Sequence, residues 1–277
     1  MKKIMMLAAA LAALVSCRSA KTAPDGGFPP VRQDGKTAIV AHRGYWNCEE
    51  AGFARNSVAA LRMAQEAGFW GSEFDVHLAA DDVVVVNHDD SRDGILIRDH
   101  AYADLAGIRL ENGEPVPTLD DYLAQGAKSK TTVLVLELKS HPDAAREDRL
   151  VERCFEGLKA HGLFDPSRVI FISFSLHMCE KIAAEAPQFV CQYLNGELSP
   201  AQLAGKGING IDYNEGVLAR HPEYVAQCDS LGMSSNVWTV NDPDRIDAFS
   251  AGGVHAVTTD VPMTARARLG EKEFRKK

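Results

Sequence analysis

The stretch "VLVLELKSH", residues 133–141, begins as a core strand and changes character before it ends. Side chains alternate across a strand, so Val133, Val135, Glu137 and Lys139 share one side and Leu134, Leu136 and Leu138 the other. The leucine side is fit to pack against a covering layer. The opposite side is apolar at its start and charged at its end. "SEFDVHL" (72–78) repeats the construction, with Glu73, Asp75 and His77 on one face and Phe74, Val76 and Leu78 on the other. A closed parallel barrel suits both segments. Its interior is filled by side chains, helices cover its outside, and polar chemistry gathers at the C-terminal ends of its strands.

The rest of the chain supports that reading. Further strand candidates are 38–42, 168–174, 189–194, 208–213, 235–240 and 254–259. Amphipathic segments at 56–67, 143–161, 175–186, 215–230 and 242–250 lie between most of them. Asn56 reads as the cap of the first helix with Gly68 closing it, and Asp242-Pro243 opens another. Eight strands alternating with helices predict an α/β fold, a (β/α)8 barrel of the TIM type. One detour interrupts the rhythm. "VVVVNHDD" (83–90) follows the second strand through the turn "AADD", too soon for a crossover helix, and reads as a hairpin strand. An insertion over about 89–117 then precedes the helix "TLDDYLAQG" and is expected beside the barrel mouth.

At 277 residues, 45% hydrophobic and 25% charged, the chain suits one large globular domain, expected over 37–277. A net charge of -8 argues against binding to nucleic acid and requires a local cation for any anionic substrate. The N-terminus "MKKIMMLAAALAALVSC" is basic, then apolar for the length of a signal peptide, too short for a membrane span. Its end resembles the lipobox of bacterial lipoproteins. That resemblance implies a signal peptide over 1–16, lipidation of Cys17, a flexible tether over 17–36, and export to a bacterial membrane on its periplasmic face or at the cell surface. Of five further cysteines, with no CxxC spacing, most read as buried structural residues, although an exported compartment permits a disulfide.

The chain resembles the glycerophosphodiester phosphodiesterase family. The residues that carry the resemblance are "AHRG" (41–44), "NS" (56–57), "SEFDV" (72–76), "VVNHD" (85–89), "LELK" (136–139), "VWTVND" (237–242) and "VTTDVP" (257–262), in family order. It implies a TIM-type barrel that cleaves small glycerophosphodiesters to glycerol phosphate and an alcohol. By the same resemblance Glu73, Asp75 and Glu137 hold a divalent cation, Ca2+ or Mg2+. His42 and His88 are the acid/base pair, and Arg43 and Lys139 contact phosphate. Trp238 packs on the glycerol side, with Asn241 beside it.

These residue types suit that chemistry. A hard cation and two basic side chains offset the charge of an anionic diester, and histidine exchanges protons near neutral pH. His77 and His255 match nothing in the family pattern and read as structural. Two departures stand out. Arg55 occupies the place where the family commonly has an acid, a role Glu49 or Glu50 could take over, and "SRDGILIRD" (91–99) replaces a family segment. Phosphoinositide- or sphingolipid-type cleavage, a glycosidase built on paired carboxylates, and a non-catalytic binding lipoprotein remain as alternatives, and the nucleophile is either water or a substrate hydroxyl.

Overall fold

The computed structural model describes residues 35–270, and the signal-peptide run, Cys17 and most of the tether lie outside them. Its strands are β1 Ala38–Ala41, β2 Gly71–Leu78, β3 Val84–Val86, β4 Ser91–Arg92, β5 Ile95–Leu96, β6 Val133–Leu138, β7 Val169–Ser173, β8 Val190–Tyr193, β9 Gly210–Asn214, β10 Ser234–Trp238 and β11 Ala256–Thr259. Eight of these, β1, β2 and β6 to β11, pair in parallel, and β11 returns to β1 to close a barrel. The expected (β/α)8 architecture is the observed one.

Strand alternation sorts the side chains as the sequence implies. Val40, Val133, Val135, Ile170, Ile172 and Val190 meet inside the barrel. Phe74, Val76, Leu78, Leu134, Leu136 and Leu138 face the helix layer. The pairing of β2 with β6 sets Asp75 directly beside Glu137. Because both residues lie near the ends of their strands, that register delivers two carboxylates to the mouth.

The helices are α1 Val58–Ala67, α2 Tyr102–Leu105, α3 Leu119–Gly126, α4 Ala144–Ala160, α5 Leu176–Glu185, α6 Pro200–Ala204, α7 Glu215–Arg220, α8 Glu223–Leu231, α9 Pro243–Ala251 and α10 Pro262–Leu269. Three local expectations are corrected. The single helix expected over 215–230 is two, α7 and α8, because Pro222 has no amide hydrogen to continue the ladder. The cap of α1 is Ser57, whose hydroxyl accepts from the Ala60 amide; Asn56 is committed elsewhere. The hairpin strand expected over 83–90 is only β3, so His88 stands on the loop beyond it.

β2 divides one of its edges between two partners. β1 pairs with its first two residues, Gly71 and Ser72. β3 runs antiparallel to its last three, Val76 to Leu78. Residues 91–117 continue from β3 as the small β4–β5 ribbon and α2, around a satellite core of Ala54, Ala79, Val85, Ile97, Leu105, Leu110 and Val116. Ala54 ties this core to the loop after β1, so the insertion stands beside the mouth.

Gly44 shows how tightly that loop is drawn in. It sits at φ +79, and an added Cβ would lie 2.6 Å from the Ala60 Cβ and 2.8 Å from the Ala60 carbonyl carbon. Gly44→Ala is therefore expected to cost ~1–3 kcal/mol through backbone strain and overlap with α1. Urea denaturation checks this as a lower midpoint at constant slope. An unshifted midpoint would show that the turn relaxes freely.

Candidate active site

Two residues in the left-handed backbone region shape the rim after β1. Arg43, at φ 55, turns so that its amide donates to Glu73 Oε2 at 2.7 Å. Asn56, at φ 56, donates its amide to the Arg43 carbonyl at 3.0 Å. The Asn56 side chain grips Asp75 from both ends. Its Nδ2 donates to Oδ2 at 2.7 Å, and its Oδ1 accepts from the Asp75 amide at 3.2 Å. This is the commitment that removes Asn56 from capping.

The three predicted carboxylates converge. Each of Glu73, Asp75 and Glu137 offers an oxygen within 4.8 Å of the others, and all three are buried. Lys139 reaches between two of them, its Nζ 2.7 Å from Asp75 Oδ1 and 2.6 Å from Glu137 Oε1. The Arg43 Nε lies 3.8 Å from Asp75 Oδ2. A glycosidase built on paired carboxylates would leave His42, Arg43 and Lys139, which stand against this cluster, without a task.

Electrostatics divides the three acids. Burial, then the charges of Asp75 and Glu137, pushes Glu73 well above the ordinary carboxylate range. Burial and the Asp75 charge push Glu137 up to about 8, against the opposing pull of Lys139. Burial works the same way on Asp75, but Lys139, His88 and the Asn56 hydrogen bond outweigh it and bring Asp75 down to about 2. Glu73 Oε1, Asp75 Oδ1 and Glu137 Oε1 are buried without a hydrogen bond, although Lys139 faces the last two as an ion pair. Orphaned oxygens on three hard anionic donors fit a divalent cation such as Ca2+ or Mg2+.

The two predicted catalytic histidines flank this cluster from different elements. His42 follows β1, with Nε2 4.0 Å from Glu73 Oε2 and Nδ1 2.8 Å from Asp260 Oδ1. His88 follows β3, with Nδ1 2.7 Å from Asp89 Oδ1. Burial, then Lys139, pushes the His88 ring below its ordinary value. His77 lies behind it, buried, its Nε2 donating to the His88 carbonyl at 3.1 Å. His255 is remote from the mouth, bonded to Asp229 and to the Ser235 amide between α8 and β10.

Around the rim, Trp238 donates its indole N–H to the Asp212 carbonyl at 3.0 Å and meets Phe174 edge to face at 5.7 Å. Asn241 is turned toward the protein. Its Nδ2 donates to Asp260 Oδ2 at 2.9 Å, and its Oδ1 accepts from the Asp260 amide and the Thr259 hydroxyl. Trp46 donates Nε1 to Asp260 Oδ1 at 3.2 Å, and the Arg55 guanidinium lies over the Trp46 ring at 3.9 Å. Sequence reasoning assigned no place to Asp260, Trp46 or Phe174. Asp260 was within reach, since it stands inside the motif "VTTDVP", directly after the last strand.

Comparison with known proteins agrees with this geometry. Residues 42–264 match the model of the glycerophosphoryl diester phosphodiesterase family. A glycerophosphodiester phosphodiesterase of known crystal structure, from Parabacteroides distasonis, is 42% identical; it covers 85% of this chain and 97% of its own, with a TM-score of 0.82. The glycerophosphodiester phosphodiesterase of Caldanaerobacter subterraneus subsp. tengcongensis is 26% identical over 243 residues, which is 83% of this chain and 96% of that protein. An Oleispira antarctica phosphodiesterase, solved in complex with the product sn-glycerol-3-phosphate, is alike in fold at 22% identity, with a TM-score of 0.69 over 86% of this chain and 98% of its own.

The raised acids make cation binding a proton exchange. A divalent cation bound in this cluster would displace protons held by Glu73 and Glu137, so its affinity is expected to rise as pH climbs toward about 8. Calorimetry in buffers of differing ionisation heat counts the protons, and Glu137→Gln is expected to lower the count. Without cation, the folded state keeps protons that the unfolded chain has released. The contribution of these two acids to stability is therefore present at low pH and lost as pH rises through about 8. Binding without proton release would mean that the carboxylates are already ionised.

Proposed function

The chain belongs to the glycerophosphoryl diester phosphodiesterase family, and on that premise we propose that it hydrolyses glycerophosphodiesters to glycerol phosphate and an alcohol. In this reading His42 and His88 exchange protons with the substrate, and Glu73, Asp75 and Glu137 hold Ca2+ or Mg2+. The observation that carries it is the convergence of three buried carboxylates with Lys139, Arg43 and His42 at one barrel mouth. A binding protein has no use for so much buried like charge. Cleavage of other phosphodiesters, of the phosphoinositide or sphingolipid type, is the reading to be distinguished by substrate.

Each residue has a task in this scheme. The Arg43 Nε is buried and has no hydrogen-bond partner among the described residues, which suits it to a phosphate oxygen. Lys139 adds a compact charge at the same place. When bound, the divalent cation supplies positive charge against the diester and against the charge that grows on its non-bridging oxygens. One histidine accepts the proton of the attacking hydroxyl and the other protonates the departing alcohol. No serine, threonine or cysteine is proposed as nucleophile. The glycerol hydroxyl next to the phosphate is already tethered, which spares the entropy of capturing a water. Its attack gives a cyclic phosphate that water then opens. Trp238 would cover the apolar side of the glycerol. An anchor at Cys17 would hold the enzyme to a bacterial membrane after export.

Three outcomes are expected when activity is followed as glycerol phosphate released from a panel of glycerophosphodiesters. Chelation abolishes it and Ca2+ or Mg2+ restores it; full activity in the stripped protein would remove the cation from the proposal. His42→Ala and His88→Ala each lower turnover by roughly two to four orders of magnitude. A 2-deoxy analogue binds but hardly turns over, whereas efficient cleavage of it would favour direct attack by water.

A further inference from the structure

His42 is not free to turn. Its Nδ1 lies 2.8 Å from Asp260 Oδ1, and every polar atom of that carboxylate is itself bracketed. Oδ1 also accepts from Trp46 Nε1, and Oδ2 accepts from Asn241 Nδ2. Asn241 is pinned in turn by the Asp260 amide at 2.9 Å and the Thr259 hydroxyl at 3.0 Å. Arg55 closes the outer face of Trp46. Burial tends to raise the Asp260 carboxyl, but the hydrogen bonds from His42, Asn241 and Trp46 hold it well below the ordinary carboxylate range.

A carboxylate that stays ionised can only accept. The proton of a neutral His42 must then sit on Nδ1, which leaves Nε2 bare and directed toward the carboxylate cluster, 4.0 Å from Glu73 Oε2. His88 is held differently. Its partner Asp89 is the next residue in the chain, and the Asp89 side chain is 78% exposed, so water competes for that bond.

We propose that Asp260 is the positioning residue for His42, setting its tautomer and ring plane so that Nε2 meets the substrate proton, with Asn241 and Trp46 as the brackets that hold Asp260 still. The inference rests on the role of His42 given above. No group is consumed. A proton that arrives at Nε2 leaves an imidazolium whose Nδ1–H remains on Asp260, and the same proton departs from Nε2 when the ring is reset. In this arrangement Asn241 acts through Asp260 and Trp46 acts through its indole N–H. Arg55, stacked on the Trp46 ring, backs the bracket.

Protein labelled with 15N-histidine provides the direct test, with the His42 signals identified from His42→Gln. At about pH 8 the wild-type ring is expected to show a protonated Nδ1 and a bare Nε2, and Asp260→Asn is expected to give a mixture of tautomers. Kinetically, Asp260→Asn should lower kcat by roughly 10²–10³-fold. KM and Ca2+ affinity should stay within about threefold, and Asp260→Glu should recover part of the loss. Combined with His42→Ala, Asp260→Asn should cost nothing further, because residues acting as one unit are not additive. Asp89→Asn is expected to cost less than Asp260→Asn. Trp46→Phe, which removes only the indole donor, covers the case in which Asp260 variants fail to fold; it too should mix the tautomers.

Unchanged His42 tautomers in Asp260→Asn, or in Trp46→Phe where no Asp260 variant folds, would overturn the proposal, as would additive losses in the double variant. Failure of the substrate reading looks different: no glycerophosphodiester is cleaved by the wild type, and the nitrogen signals still decide whether Asp260 sets the ring.

Discussion

Three carboxylates that cannot all be ionised without compensation govern this molecule. Burying like charges a few ångströms apart is costly, and a low-dielectric setting magnifies the cost. The structure answers with Lys139 between Asp75 and Glu137, and with Arg43 beside Asp75 and Asn56 clamped on it. The left-handed turns at Arg43 and Asn56 belong to the same answer, because they aim an amide at Glu73 and an amide side chain at Asp75. Asp212, deeper in the barrel, takes another course. Burial and the nearby Glu137 push it well above the ordinary carboxylate range.

Barrel closure performs a second service. His42 and Asp260 are 218 residues apart in the chain. They meet because β1 pairs with β11 in a register that sets Ala41 beside Thr259, each one residue short of the pair. The seam that completes the barrel therefore also builds the support of His42. Asp75 and Glu137 meet by the same kind of logic, as register partners on β2 and β6. Chemistry at this mouth is a property of how strands are aligned, more than of any one loop.

That explains what the sequence discloses and what it conceals. The eight barrel strands are readable as short apolar, β-rich runs spaced by helical segments, and the placement of Glu73, Asp75 and Glu137 follows from parity along two of them. Contacts across the seam leave no such mark, so Asp260 stayed a letter in a motif. Asn56 was misread for a local reason. An Asn before a helix is a good cap by type, and only the tertiary contact with Asp75 shows that its amide is engaged. α6, at five residues, is too short to display a helical period, and α10, "PMTARARL", lacks the apolar stripe that marks the equally long α3. The break lies at Pro222, in the middle of the apolar pattern that runs through 215–230.

The divided edge of β2 has a consequence for ancestry. β1 holds the start of one edge of that strand and β6 the other edge from Gly71 to Val76, while β3 and residues 91–117 stand beside its end, against the loop after β1, and carry a hydrophobic core of their own. A change in the length of this appendage does not enter the parallel pairing of the eight barrel strands. Selection can therefore remodel the neighbourhood of His88 separately from the cation cluster. Divergence among descendants of such a barrel should be concentrated on this one flank, with the opposite wall, β8 to β11, drifting mainly in its helices.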